Sequence, residues 1–247
     1  LKVFISIDDT DNLESIGTGH LAARLISQIE ENGWGTGSFI TRHQLFVHPD
    51  VPYTSHNSAM CFQAELKDSS LDGLIDYAAD FLRQQSAPGS DPGLCLAVCQ
   101  ALQSPLELLD FGRRAKEQVL TKDEAYSLAT KLGIHLSEHG GTGGGVIGAL
   151  AGVGLRLGGN DGRIRGKLQL EHEDCITEVA RVCSRPEVAR VQSLAGELLP
   201  TTERIVLGEK VKTVFLDNEP VLLVAPLENL SKQARWRTCT REELRKY

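Results

Sequence analysis

The sequence predicts an α/β fold of the α+β kind, with a ferredoxin-like βαββαβ part, a glycine-rich helical part and a small β-rich C-terminal unit. Three observations carry this expectation. Strand-like and helix-like apolar patterns alternate over residues 1–102 in the order of the split βαβ motif. Two hydroxyl-to-glutamate spacings then mark helix starts ahead of residues 140–166, where 12 of the 24 glycines lie, more than a connecting loop requires. Three strand-like runs finish the chain, the last two joined by Asp217-Asn218. The expected parts are 1–102, 103–170 and 194–247.

Each element has its own local reason. Val3 to Ile7 is β-branched or aromatic and stops at Asp8-Asp9, which reads as a buried strand. Leu21, Ala22, Leu25, Ile26 and Ile29 share one helical face over Gly19 to Asn32, and Gly33 stands where a left-handed C-terminal cap belongs. Ser38 to Val47 and Ala59 to Leu66 read as strands joined by a loop with Pro49, Pro52 and Asn57. Leu71, Leu74, Ile75, Ala78, Ala79 and Leu82 repeat as the buried stripe of a helix, and Leu94 to Val98 reads as the closing strand. Helices follow at Ser104 to Glu107 and Thr121 to Glu124, the second ending at Gly133, and another over Val146 to Leu157. Arg204 to Leu207, Val211 to Leu216 and Val221 to Val224 are the late strands.

Composition narrows the function. The 247 residues carry 26 Lys+Arg against 33 Asp+Glu, a net charge of −7, which speaks against nucleic-acid binding through a general positive field. Cysteines 61, 95, 99, 175, 183 and 239 show no zinc-ribbon spacing, so free thiols in a reducing cytoplasm are expected. The most apolar stretch, Val146 to Leu157, contains Arg156 and is too short to span a membrane. No signal peptide is read at the N-terminus.

Asp8, Asp9 and Asp11 arrive where the first strand gives way to a loop. Three like charges so close want a cation, backbone N–H donors, or both. Mg²⁺ suits them, since it takes oxygen ligands and is commonly shared between carboxylates and phosphates. Turn-capping and solvated aspartates are the plainer alternative. Gly17-Thr18-Gly19 follows at a helix start, where amides and the helix dipole favour an anion. Metal-binding carboxylates beside phosphate-binding amides make a nucleotide site competitive with that alternative.

Gly140 to Gly145 forms a second candidate phosphate loop, with Gly143, Gly144 and Gly145 nearest the following helix. It lacks the Lys-Ser/Thr pair of a Walker motif. Gly143, Gly145 and Gly148 satisfy G-x-G-x-x-G formally, but no hydrophobic strand leads into them and no series of parallel β-α-β units surrounds them, which ranks a dinucleotide-binding protein low. Close helix–sheet packing is the alternative role for Gly148, Gly152 and Gly154.

Ile7-Asp8-Asp9-Thr10-Asp11, Pro52-Tyr53 with Asn57, and Gly145-Val146-Ile147-Gly148-Ala149-Leu150-Ala151 together resemble the core of the agmatinylcytidine synthetases that modify an isoleucine tRNA. The similarity spans roughly residues 1–170. It implies a kinase-like, ATP- and Mg²⁺-dependent phosphotransferase or ligase, in which the 2-carbon of a cytidine is phosphorylated and agmatine displaces the phosphate. By this resemblance Asp8, Asp9, Asp11 and Thr18 would be catalytic, the three aspartates holding the metal, with Gly17, Gly19, Gly143, Gly144 and Gly145 around the nucleotide. Family members carry an OB domain and a zinc ribbon that are not expected here, and one of their paired threonines is Gly19 in this chain. Loop 53–57 also lacks their Lys and Arg. Kinase chemistry therefore transfers more readily than the tRNA substrate. A tRNA cytidine, a nucleoside or a small amine all remain as acceptor, and a non-catalytic nucleotide-binding module remains the other class.

Weaker candidates are His43, His48 and His56 as a metal trio, Cys95 with Cys99, Arg113-Arg114 near phosphates, and six basic residues from Lys232 to Lys246 around Trp236 as a single-stranded RNA patch.

Overall fold

The computed structural model describes residues 1–51, 57–168, 175–231 and 234–247. The motif residues Pro52, Tyr53 and His56, and Lys232, lie outside them. The chain forms two compact units, Leu1–Gly158 and Gly159–Tyr247, so the boundary falls ahead of both residue 170 and residue 194.

In chain order the first unit holds β1 (Lys2–Asp8), α1 (Thr18–Glu31), β2 (Gly35–Gly37), β3 (Thr41–Gln44), β4 (Ser58–Leu66), α2 (Leu71–Gln85) and β5 (Gly93–Val98). It continues with α3 (Pro105–Arg114), α4 (Lys122–Leu132), β6 (His135–Glu138) and α5 (Gly145–Leu157). Its sheet runs β6-β5-β1-β4-β3, with β2 also on β4. The pairs β1–β4, β1–β5, β3–β4 and β5–β6 are all antiparallel. The order with β1 between β4 and β5 is that of the split βαβ motif.

Alternation along β1 builds two cores. Val3, Ile5 and Ile7 face α1 and α2 with Leu21, Leu25, Ile29, Leu74, Ala78 and Leu82. Phe4 faces the opposite way, toward Leu108, Phe111, Ala129, Ala149, Leu150 and Val153 of α3, α4 and α5. A central strand covered by helices on both faces must be apolar on both. Ser6 and Asp8 break that rule on the α5 side, and α5 accommodates them with glycine. A Cβ on Gly148 would lie 1.7 Å from Asp8 Oδ2, and one on Gly152 would lie 2.4 Å from Ser6 Oγ. Residues four apart on a helix thus match residues two apart on the strand. Gly154 serves a different contact, since its Cβ would lie 2.1 Å from the Leu108 carbonyl of α3.

Local signals are realised where they rest on backbone chemistry. Thr121 and Glu124 form a full capping box on α4, and Gly133 closes that helix at φ 65°. Ser104 precedes α3 without a side-chain cap, so that spacing marks the start but not the box. The strand expected over 38–47 is confined to Thr41–Gln44, with the short β2 ahead of it. Residues 135–138, which do not read as a strand in the sequence, pair with β5 through Gly93↔Glu138 to Leu96↔His135. Edge pairing needs backbone groups and not apolar side chains, and β6 is only partly buried.

The second unit contains β7 (Arg163–Ile164), β8 (Ile176–Glu178), α6 (Val179–Cys183), β9 (Arg190–Ser193), β10 (Arg204–Val206), β11 (Thr213–Leu216), β12 (Glu219–Ser231) and β13 (Ala234–Thr238). The strands follow the order β7-β11-β12-β13-β10-β8, with β9 parallel to β12. Asp217 (φ 50°) and Asn218 (φ 63°) make the two-residue turn between β11 and β12. Positive φ at both positions is the type I′ geometry that matches strand twist. Among the described residues no helix is long and apolar enough to cross a membrane. All six cysteines are free thiols.

Candidate active site

One cavity of about 330 Å³ opens at the end of β1 in the first unit. It collects Asp8, Asp9 and Asp11 with Gly17, Thr18 and Gly19 at the start of α1, and with Gly144, Gly145 and Gly148 at the start of α5. Leu45, Phe46, Val51, Ala115, Val119, Leu120 and Ile147 line its apolar part. A largely apolar cleft with a few convergent polar groups is the usual form of a small-molecule site.

The antiparallel sheet explains the convergence. Asp8 pairs with Gly93, so the end of β1 lies beside the start of β5 and the loop before it. That loop supplies Asp91. The Asp91 carboxylate accepts from the Thr142 amide at 2.6 Å and from the Thr142 hydroxyl, and the Asp91 carbonyl accepts from the Gly145 amide at 3.1 Å. A Cβ on Gly145 would meet that carbonyl at 2.2 Å, and a Cβ on Gly93 would meet Gly145 backbone at 2.2 Å. Close backbone approach therefore requires glycine at both places.

At the other wall, Asp9 leaves β1 at φ 50°, a left-handed conformation that Asp tolerates better than most side chains. Thr10, buried, donates its hydroxyl to Thr18 Oγ1 at 3.0 Å, and the Thr18 hydroxyl donates to Asp11 Oδ1 at 3.2 Å. The acidic loop is thereby fastened to the first turn of α1. The His20 amide there donates to the Gly17 carbonyl at 2.8 Å, while the Thr18 and Gly19 amides precede the first intrahelical acceptor and form the positive end of the helix dipole.

The carboxylates are electrostatically costly as they stand. Burial, then the charges of Asp9 and Asp11, push Asp8 up to about 8, against a hydrogen bond from the Asp9 backbone that lowers it. Burial, then Asp91 and Asp11, push Asp9 up to about 6, opposed by a hydrogen bond from the Asp91 backbone. Among the described residues Arg42 is the cavity's one cationic lining residue, its Nε donating to Ser58 Oγ at 2.9 Å. These oxygens suit a hard divalent cation. Yet among the described residues no three His, Cys, Asp or Glu side chains are arranged to hold a metal ion, so Asp8, Asp9 and Asp11 do not form a closed three-carboxylate cage. One or two of them with waters and ligand oxygens is the arrangement they fit.

The structure brings together Asp8, Asp9, Asp11, Gly17, Thr18, Gly19, Gly144 and Gly145, and leaves out Gly143. Gly143 has φ 76°, and a Cβ there would collide with Glu138, which is ion-paired to Lys122. Its freedom serves the turn and not the cavity. Asp91, Arg42, Ser58, Met60 and Gln118 also line the site, and sequence reasoning does not find them. Asp91 sits in a Pro/Gly loop that looks like ordinary punctuation until strand pairing is known. Of the histidine trio, His56 lies outside the described residues. His43 is buried and bonded to Thr41 Oγ1 at 2.7 Å, while His48 stacks on Phe46 with ring centroids 5.4 Å apart. Arg114 is taken by Glu124 at 2.5 Å. No parallel β-α-β unit leads into the glycine run, because β6 and β5 are antiparallel.

No protein-family model matches the chain. It is 30% identical over 160 residues to TiaS of Archaeoglobus fulgidus, the 2-agmatinylcytidine synthetase of an isoleucine tRNA, covering 64% of this chain and 36% of that protein. It is also 30% identical over 162 residues to TiaS of Methanosarcina acetivorans, covering 63% and 36%. Both alignments thus span little more than a third of the curated relatives. A crystal structure of TiaS in complex with its isoleucine tRNA and ATP superimposes with TM-score 0.55 at 28% identity, over 62% of this chain and 36% of that one. A complex of TiaS with the tRNA, AMPCPP and agmatine gives TM-score 0.53 at 27% identity over the same shares. The N-terminal part of this chain is therefore similar, in sequence and in fold, to the core of the isoleucine-tRNA agmatinylcytidine synthetases.

Proposed function

We propose that the first unit binds Mg–ATP in the cleft at the end of β1 and transfers a phosphoryl group from it, as an ATP-dependent enzyme of the tRNA-modifying kind. The observation that carries this reading is the meeting of an acidic loop with the N-termini of α1 and α5 in one cavity that is apolar at its other side. Phosphates belong at the start of α1, near the amides of Thr18 and Gly19. The base belongs against Phe46, Val51 and Leu120.

Mg²⁺, held by carboxylates among Asp8, Asp9 and Asp11, would supply neutralisation of phosphate charge. The chain's own residues supply position. Thr10 and Asp11 fix the Thr18 side chain at the first turn of α1, whose backbone amides can donate to a phosphate oxygen, and Gly148 leaves room for Asp8 beside α5. Positioning and charge stabilisation do most of the work in phosphoryl transfer. The acceptor is a cytidine of tRNA, a nucleoside or a small amine. TiaS complexes with tRNA and agmatine support the first and last of these by analogy.

Thermal-shift titration with ATP, with and without Mg²⁺, tests the site. Stabilisation that needs Mg²⁺ and is lost in Asp9→Ala supports it, and no shift in wild type refutes it. Labelled ATP then separates turnover from binding. Release of ADP with an added acceptor supports an enzyme, whereas tight binding without ADP marks a nucleotide-binding module.

A further inference from the structure

The glycine loop 140–145 has the composition of a phosphate cradle, yet its donors are taken by the protein itself. The Thr142 amide donates to Asp91 Oδ1 at 2.6 Å, and the Thr142 hydroxyl donates to Asp91 Oδ2. The Gly143 amide donates to the Gly140 carbonyl at 3.2 Å and the Gly145 amide to the Asp91 carbonyl at 3.1 Å. The next amides of α5 turn back in the same way, Val146 to the Gly143 carbonyl at 3.4 Å and Ile147 to the Gly144 carbonyl at 3.1 Å. An amide and a hydroxyl converging on one carboxylate are the donors that a phosphate would otherwise receive from such a loop.

The glycine at 141 is matched to this carboxylate. Gly141 has φ 57°, and a Cβ there would overlap Asp91 Oδ1, so both its backbone and its neighbour exclude a side chain.

Asp91 also reaches the opposite wall of the cleft. Its backbone amide bonds to the Asp9 carboxylate. Its loop is tied to the acidic loop, with the Ala87 amide donating to the Thr10 carbonyl at 2.9 Å and Asn12 Nδ2 to the Pro88 carbonyl at 3.4 Å. On the side of the glycine loop, Gly145 opens α5, and Gly148 lies less than one turn further on, where the Asp8 carboxylate fits against it. One residue therefore links the loop that carries Asp9 to the helix that accommodates Asp8.

We propose that Asp91 is a positioning residue of the cleft, whose carboxylate fills the glycine loop in place of a phosphate and so fixes the start of α5 against Asp8. This role rests on the Mg–ATP reading of the site. It leaves the ligand's phosphates to α1 and gives the glycine loop the task of keeping Asp8 in register with Asp9. Asp91 acts through Thr142 and α5, without ligating the metal itself.

Calorimetric titration of the full chain with ATP at saturating Mg²⁺ tests this in wild type, Asp91→Ala, Asp91→Asn and Thr142→Val, with melting temperature read alongside. Asparagine keeps an acceptor for the Thr142 amide and a donor for its hydroxyl, whereas alanine loses both bonds. Mg–ATP affinity about tenfold or more weaker in Asp91→Ala, restored to within about threefold of wild type in Asp91→Asn, supports the role, since residues that orient metal ligands act on this scale. Equal losses in Asp91→Asn and Asp91→Ala overturn it, because charge or direct ligation would then be the cause. Full affinity in Asp91→Ala, or in Thr142→Val should the alanine variant fail to fold, overturns it as well. Hydrogen exchange of wild type without ATP gives an independent readout. A Thr142 amide already protected supports the internal carboxylate, and protection gained only with Mg–ATP overturns it. No Mg–ATP binding in wild type refutes the nucleotide site and this role with it, and the ligand-free exchange of Thr142 keeps that outcome distinct from a failure of the Asp91 contact alone.

Discussion

The carboxylate of Asp8 occupies the space where Gly148 would carry a side chain, with Oδ2 lying 1.7 Å from the position of a Cβ on that glycine. The acidic end of the first strand and the fifth helix are thus fitted to each other at a single residue pair.

Gly148→Ala is expected to push Asp8 aside or lift α5 from β1. Overpacking of this kind costs roughly 1–3 kcal/mol. Chemical denaturation would show that loss, and ATP titration of the folded variant would show the weakened site. An alanine accepted with unchanged stability and unchanged ATP response would contradict the close fit.

Asp8→Asn is expected to stabilise the nucleotide-free protein while removing its Mg–ATP response. Asp8 titrates at about 8 when folded against an ordinary 3.8, so the folded state holds a proton that the unfolded state has lost between those values. Stability contributed by Asp8 therefore declines as pH rises from about 4 to 8. Asparagine removes the decline, so the gain over wild type should be largest near pH 8 and vanish near pH 4. Melting curves across that range decide it, and a gain independent of pH would count against the buried carboxylate as its source.

His139 should contribute the opposite slope. Burial, then Arg83 and His135, lower it from 6.5 to about 4, against Asp80 and Glu138. The unfolded state binds the extra proton between these values, so stability is intact above about 6.5 and is lost as pH falls toward 4. In His139→Gln the difference from wild type should track that window. A parallel pair of stability curves would exclude the effect.

Gly73 offers a positive control for these substitutions. It lies exposed in α2, and a Cβ there would meet nothing within 4 Å. Gly73→Ala should raise stability by about 0.5–1 kcal/mol through the entropy of the unfolded chain. A fall would mean that α2 makes a contact through this face.

What the sequence determined by itself was local. The apolar stripes of α1 and α2, the Thr121 capping box, the left-handed Gly133 and the Asp217-Asn218 turn rest on interactions within a few residues, and each is present. The strand order followed from element order, because crossovers through α1 and α2 leave few topologies. The acidic loop and the two glycine-led helix starts were also legible, since unusual residue density needs no partner to be seen.

Tertiary structure alone decided which of these residues meet. Asp91 enters the site because β5 begins beside the end of β1, a pairing between residues more than eighty positions apart. Gly143 is excluded because its neighbours Glu138 and Lys122 fix the turn away from the cavity, while Gly145 is drawn in by backbone contact with Asp91 and Gly93, and Gly148 by its fit to the Asp8 carboxylate. The C-terminal arginines look alike in one dimension, but Glu203 takes Arg235 and Glu243 takes Arg237. Charge acts through distance in space, and sequence spacing reports that distance only within a turn or two of helix or across a single hairpin.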